Sequence, residues 1–162
     1  SDLGATPVGM PVPAVPEALS KGVIDAAVIP WEVTAALKVP ELVGNHTEFG
    51  SESLYTTAFV FAMNKQKYDA LSDAQKAALD SQSGADFSAL AGKLMQGADA
   101  GARDAAVANG NTIITLSDAQ VAEWKAASSG VEAKWVADMD SKGFAGQALV
   151  DQAKALIKEN GM

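Results

Sequence analysis

A short apolar segment with a single charge is the clearest feature of the first third of the sequence. Residues 23–29 (VIDAAVI) are apolar apart from one aspartate, and the run stops at Pro30, directly before Trp31 and Glu32. A nearly continuous apolar run of this length predicts a buried strand. Pro30 ends the strand because proline has no N–H to donate to a β-ladder.

Three further runs predict strands. Residues 55–63 (YTTAFVFAM) are rich in β-branched and aromatic side chains and almost continuously apolar, as in a strand that is covered on both faces. Residues 6–10 and 112–116 are shorter candidates. Short strands that alternate with helices indicate an α/β class with a thin sheet.

Helices account for most of the remaining sequence. The pentapeptide LSDAQ occurs at 71–75 and again at 116–120, and each copy contains the Ser-x-x-Gln capping box that begins a helix. We interpret the copies as two helix starts rather than as a repeat, because the segments after them differ. Four glycines inside the longest predicted helix weaken it and predict a bend. The predicted helices cover residues 13–21, 31–38, 73–108, 118–141 and 147–159.

Composition limits the classes of function. The 162-residue chain carries a net charge of −8 and has 48% hydrophobic residues, enough for one ordinary domain, with a second small domain as an alternative. A negative protein repels phosphate backbones, so nucleic acid is excluded as an expected partner, and an anionic membrane surface is disfavoured. The lack of cysteine fits a cytoplasmic or a periplasmic protein equally well. No apolar stretch reaches the roughly 20 residues of a membrane span, and no signal peptide is recognisable.

Signals for catalysis are weak. His46 is the only histidine, which argues against a metal site, and without a nucleophile motif around it a structural loop or cap role is expected. Glu41 or Glu48 could pair with Glu52 as general acid and base, but a solvated loop explains them as well. No glycine-rich phosphate-binding motif is present. The sequence therefore predicts no catalytic residue, no metal and no cofactor.

Trp31 and Glu32 have a more informative position. Ligands of α/β folds bind in the crevice beyond the carboxyl ends of the strands, and these two residues directly follow a predicted strand. An amphipathic ring beside a carboxylate can form the wall of a small-molecule pocket. A core role for Trp31 is equally compatible with its position.

Residues 3–32 (LGATPVGMPVPAVPEALSKGVIDAAVIPWE) contain an LGA-x-PV-x-M start, an EAL-x-x-G-x-(V/I)-D-(G/A) helix and strand, and a proline after them. In these motifs the chain resembles the periplasmic solute-binding subunits of TRAP transporters, the DctP type. Residues 41–47 and 61–79 and the long helix that follows are also similar. The matching positions in the first segment are Leu3, Gly4, Ala5, Pro7, Met10, Glu17, Ala18, Leu19, Gly22, Asp25 and Pro30.

The resemblance implies a non-enzymatic protein with the helix-rich type II periplasmic-binding-protein fold, in which two α/β lobes are joined by strands and a long helix. Residues 1–54 would belong to the second lobe with a cleft-lining strand and helix. Residues 55–162 would form the inter-lobe strand, the long spanning helix and the C-terminal helices. A small organic acid, usually a carboxylate, would be held between the lobes in the periplasm and delivered to a membrane permease.

Two departures from the family pattern affect the expected site. The family's carboxylate-binding arginine lies in a strand before the LGA motif, so the sequence resembles the C-terminal part of a binding protein without that clamp. Many relatives carry a substrate-binding asparagine where this chain has Ile29, so a polar contact is replaced by an apolar one. The ligand-binding residues that the position and the resemblance together predict are Trp31, Glu32, Ile29, Val12, Ser53 and Tyr55.

Two other classes of protein stay open on the sequence. A small α/β hydrolase or isomerase could use Asp25, Glu32 or His46, and a helix-rich interaction module could use the long helix as a docking arm. The long helix also carries apolar residues that predict self-association of this chain, by helix pairing or by exchange of an element with a second copy. These residues are Leu79, Phe87, Leu90, Leu94 and Met95.

Overall fold

Helices dominate the structure, a computed structural model that describes residues 3–160. Two short parallel strands accompany them in this part of the chain. The helices are α1 (Val15–Ser20), α2 (Trp31–Ala36), α3 (Lys65–Asp69), α4 (Asp73–Ser81), α5 (Ala85–Ala108), α6 (Asp118–Ser128), α7 (Gly130–Ser141) and α8 (Gly146–Glu159), and the strands are β1 (Asn45–Glu48) and β2 (Thr112–Thr115). This is the helix-rich α/β class with a long helix that the sequence predicts.

The chain forms two compact units. One unit is Val8–Thr115, and the other consists of the described residues on either side of it. The division at residue 54 that the family resemblance implies stays a prediction.

In the unit Val8–Thr115, α2 packs against α5 beside the two-stranded sheet. The α5 residues Ala102 and Ala106 are four positions apart, so they lie on one helical face, and both are buried. Their small side chains let α2 approach closely, and Thr34 of α2 is buried as well. The parallel register pairs Asn45 with Thr112 and continues to Glu48 with Thr115.

The second unit contains α6, α7 and α8. The predicted helix over 118–141 is interrupted at Ser129, between α6 and α7. Gly146 is the first residue of α8, at the point where α8 meets α7. A Cβ at Gly146 would lie 2.6 Å from the carbonyl oxygen of Val136 in α7. The N–H of Gly146 also donates to Asp140 Oδ1 at 2.8 Å. Only glycine fits this crossing without displacing the backbone of α7.

The two predicted capping boxes are confirmed. The Ser72 hydroxyl accepts from the N–H of Gln75, and the Gln75 side chain accepts from the N–H of Ser72. Ser117 and Gln120 repeat this arrangement at the start of α6. In place of the bend that the four glycines predict, the long helix has a complete break at the first of them, because α4 ends at Ser81 and α5 begins after Gly84.

Three of the four strand predictions are wrong for the described residues. The segments 6–10, 23–29 and 55–63 form no hydrogen-bonded strand, and only 112–116 contains one. A β-strand forms only where a second segment hydrogen-bonds to its main chain, and these three apolar segments have no such partner within residues 3–160. The partner of β2 is instead the polar segment Asn45–Glu48, which no hydrophobic alternation marks as a strand.

Candidate functional site

Trp31 begins α2, directly after the extended N-cap residue Pro30. Its ring lies against the imidazole of His46, with centroids 4.9 Å apart and planes tilted by 32°. Trp31 is partly buried and partly exposed, so it is neither a core residue nor a free surface residue. His46 lies in β1 rather than in a loop, and its Nε2 is 3.1 Å from Asn111 Oδ1.

The carboxylate of Glu48 accepts hydrogen bonds from two elements, α5 and β2. Arg103 of α5 binds it with both ends of its guanidinium fork, Nε to Oε1 at 2.7 Å and Nη2 to Oε2 at 3.2 Å. The Thr115 hydroxyl of β2 donates to Oε2 at 3.3 Å. The hydrogen bond from Arg103 is the largest cause that holds the pKa of Glu48 below its ordinary value, against the opposing effect of burial.

Glu32 has the opposite electrostatic environment. Burial raises the pKa of its carboxyl group, and the negative charge of Asp99 adds to this effect, while a backbone hydrogen bond opposes it. Asp99 of α5 lies next to Glu32, and its Oδ1 accepts a hydrogen bond from the main-chain N–H of Glu32 at 3.0 Å. This bond satisfies one of the free N–H groups in the first turn of α2.

Tyr55 is exposed, and its place at a ligand site stays a prediction. Its hydroxyl donates to the main-chain carbonyl of Val28 at 3.3 Å, next to Ile29. The segments 23–30 and 55–63 therefore contact each other at this hydrogen bond. Val12 and Ser53 are exposed, and their place at a ligand site stays a prediction.

The sequence alone does not identify the ion pair between Glu48 and Arg103. Its pattern marks Glu48 only as a possible acid or base and does not mark Arg103 or Thr115. Arg103 lies 55 residues from Glu48 in the sequence and meets it only because α5 returns alongside β1. No local pattern could have found this pair.

Residues 3–160 also bear on metal binding and on membrane insertion. No group of three or more His, Cys, Asp or Glu side chains there could hold a metal ion. The same residues contain no helix with the length and apolarity needed to cross a membrane.

Comparison with solved structures identifies close relatives along almost the whole chain. A marine metagenome TRAP solute-binding protein from an unidentified microbe, specific for aromatic acid ligands and in complex with metahydroxyphenylacetate, is 49% identical over 99% of this chain, with a TM-score of 0.94. A TRAP solute-binding protein from Rhodoferax ferrireducens with copurified benzoate is 46% identical over 98% of this chain, with a TM-score of 0.94. A protein from Bordetella bronchiseptica with bound mandelate is 27% identical over 98% of this chain, with a TM-score of 0.81.

The matches cover 51%, 50% and 50% of those proteins, so this chain spans about half the length of the structures that it resembles. The family model for the DctP proteins, described as bacterial extracellular solute-binding protein, family 7, matches residues 1–138. The chain therefore belongs to the DctP family of TRAP solute-binding proteins.

Proposed function

We propose that this protein contributes to the capture of an aromatic carboxylate in the periplasm and to its delivery to a TRAP membrane permease, without catalysing a reaction. The observation that carries the proposal is the ligand chemistry of the relatives. The two described above at 46% and 49% identity are in complex with benzoate and metahydroxyphenylacetate. Both ligands combine one aromatic ring with one carboxylate, and the mandelate of the more distant relative does the same.

The side chains around the start of α2 support an aromatic ligand. Trp31 keeps part of its ring surface accessible, and Ile29 adds an apolar contact at a position where the family pattern has an amide. Tyr55 lies within hydrogen-bonding distance of the adjacent main chain. A mostly apolar wall with few polar groups suits the ring of a small acid better than the two charged ends of a dicarboxylate.

A bidentate clamp on the carboxylate of the ligand needs an arginine with a free guanidinium. Arg103 is the only arginine in the sequence, and its guanidinium already binds Glu48 through two hydrogen bonds. A bidentate arginine clamp is among the strongest carboxylate contacts in proteins. We therefore propose that the clamp comes from polypeptide other than these 162 residues and that the chain alone binds its ligand weakly.

Calorimetry on a chimera tests the proposal. Residues 3–160 replace the matching half of the 49%-identical marine protein, and benzoate, 3-hydroxybenzoate and succinate are titrated into the chimera and into the 162-residue chain. We expect the chimera to bind the two aromatic acids in preference to succinate, and the chain alone to bind them at least about two orders of magnitude more weakly, as the loss of two charged hydrogen bonds predicts. A preference for succinate would contradict the aromatic ligand, and micromolar binding by the chain alone would contradict the external clamp.

Trp31→Ala in the chimera tests the proposed pocket wall. If Trp31 contacts the ligand, its loss weakens benzoate binding and changes the melting temperature little. A core tryptophan would cost about 3–5 kcal/mol of stability on truncation. A large fall in melting temperature with unchanged affinity would remove Trp31 from the site. Trp135→Ala, in the other compact unit, is the matched control.

A further inference from the structure

The imidazole of His46 covers one face of the Trp31 indole. The ring centroids are 4.9 Å apart, and the planes differ by 32°. Two rings this close and this nearly parallel would overlap if they lay side by side, because carbon atoms of different side chains stay about 3.5–4.0 Å apart. The rings are therefore stacked, and the surface that Trp31 keeps exposed lies on its other face and its edges.

The side-chain amide of Asn111 holds this imidazole. Its Nδ2 donates to the main-chain carbonyl of Val43 at 2.8 Å. Because a carbonyl oxygen only accepts, this bond fixes which end of the amide is the NH2 group and turns Oδ1 towards His46, 3.1 Å from Nε2. The imidazole must then carry a proton on Nε2 and donate it to Asn111.

The main chain fixes the position of Asn111. Its N–H donates to the carbonyl of Ala106 in the last turn of α5 at 3.0 Å, and the next N–H, that of Thr112, donates to the carbonyl of Gly44 at 2.9 Å. Asn111 therefore joins the end of α5 to the start of the two-stranded sheet, and its side chain reaches the strand that carries His46. The indole thus packs against a ring whose place is set by the loop after α5.

We propose that His46 and Asn111 are positioning residues that together brace one face of the Trp31 indole and leave the opposite face to stack on the aromatic ring of the ligand. This inference rests on the proposed function for its meaning at the site, whereas the brace itself can be tested without a ligand. A ring that is already held loses less side-chain freedom when the ligand binds, and the brace contributes to affinity through this preorganisation. Because aromatic pairs prefer defined offset or edge-to-face arrangements, the orientation of the held ring also sets the plane of the bound acid.

The brace can be observed on a single residue, because His46 is the only histidine in the sequence. In the 162-residue protein the carbon-bound ring protons of His46 lie in the ring current of Trp31. Their NMR signals should therefore be displaced from those of a solvated histidine, and Trp31→Leu should remove the displacement. At the alkaline end of a pH titration, where the imidazole is neutral, the ¹⁵N spectrum should show the proton held on Nε2.

Asparagine variants separate positioning from general stability. Asn111→Leu has neither donor nor acceptor, so the His46 signals should move towards those of a solvated histidine, with exchange between the two tautomers. Asn111→Asp keeps an acceptor for the Nε2 proton and should retain the tautomer. Asn109→Leu is the matched control, because Asn109 Nδ2 also donates to a main-chain carbonyl, that of Pro40 at 2.7 Å, in a bond that does not involve His46. It should leave the His46 signals unchanged.

Signals of a solvated His46 in the unmodified protein, or signals that Asn111→Leu leaves unchanged, would overturn the proposal. An equal effect of Asn109→Leu would do the same. If Asn111→Leu fails to fold, the ring-current displacement and the Nε2 proton of the unmodified protein still decide whether the brace exists.

The consequence for the ligand is measured with benzoate in the chimera. There Asn111→Leu should weaken binding about threefold to tenfold, as expected for the loss of one neutral hydrogen bond, and Asn111→Asp should recover part of the affinity. Unchanged affinity beside displaced His46 signals would contradict the positioning role. If the unmodified chimera does not bind benzoate, the proposed function fails, while the His46 signals still decide whether the brace exists.

Discussion

Glu32 and Glu48 are in opposite electrostatic surroundings. Burial and the neighbouring Asp99 disfavour the charged form of Glu32, whereas Arg103 and Thr115 donate hydrogen bonds to the charged form of Glu48. The pKa of Glu32 is therefore raised and that of Glu48 lowered. The charge of Glu48 is a stabilising part of this region, and the charge of Glu32 is tolerated at a cost.

The lowered pKa of Glu48 predicts how its contribution to stability depends on pH. Because the folded state favours the ionised carboxylate, this contribution is fully present above the ordinary glutamate pKa of about 4.3 and is lost as the pH falls through the lower folded value. Glu48→Gln should therefore reduce the free energy of unfolding at pH 7, while the difference from the unmodified protein shrinks in acid. The Arg103 side chain is 41% exposed, so solvent screening keeps the effect modest.

Urea unfolding at pH 7 and at several values below pH 4.5, followed by circular dichroism, measures this dependence. Glu32→Gln is the matched control with the opposite sign. Because the pKa of Glu32 is raised, removing its charge should stabilise the protein at pH 7, and this gain should also disappear in acid. A stability difference for Glu48→Gln that stays constant across this range would contradict the charged role of its carboxylate.

The break between α4 and α5 depends on one glycine. Gly84 has φ +84° and ψ −152°, a conformation that side-chain-bearing residues rarely adopt. Gly97, in contrast, lies within the continuous helix α5, and a Cβ there would meet no atom within 4 Å. The same substitution should therefore have opposite effects at the two positions.

We expect Gly84→Ala to destabilise the chain by about 1 kcal/mol or more, because the alanine is forced into a strained backbone conformation. Gly97→Ala should stabilise the chain by about 0.5–1 kcal/mol, because alanine is the better helix former and the site is open. Thermal unfolding of both variants under identical conditions measures the difference. A stabilising Gly84→Ala would mean that α4 and α5 can join into one helix, as the sequence alone predicts.

The elements that sequence reasoning identified correctly are those with local causes. A capping box is complete within four residues, so Ser72 and Ser117 mark their helices without tertiary information. Strand formation depends on a distant partner, which is why the apolar segment 55–63 was overpredicted and the polar strand β1 was missed. The candidate site also combines a feature with a local cause and a contact that depends on distant residues. The position of Trp31 follows from Pro30 and the apolar segment before it, but its ring contact with His46 requires β1 to lie beside α2.

The apolar segment 55–63, which forms no strand, leaves large side chains in solvent. Val60 and Phe61 are 87% and 88% exposed, although a segment with their composition is expected to be covered on both faces. Phe61 meets Phe87 of α5 edge to face at a centroid distance of 5.8 Å. Phe87, Leu90 and Leu94 are exposed and lie three and four residues apart on α5, so they share one face of this helix. With Phe61 they form an apolar stripe on one compact unit.

We propose that the 162-residue chain self-associates through this apolar stripe. Burial of apolar surface contributes about 25 cal/mol per Å², and a contiguous stripe is an interaction site rather than a set of scattered residues. The gain must exceed an association cost of about 4–15 kcal/mol, so we expect a concentration-dependent dimer.

Light scattering coupled to size exclusion measures the mass over a wide range of protein concentration. Phe61→Ser with Leu94→Ser should shift the equilibrium towards monomer, whereas Leu156→Ser, at an exposed position of α8 in the other unit, should not. A monomer at all concentrations would contradict the proposal, and an equal effect of Leu156→Ser would move the interface away from the stripe.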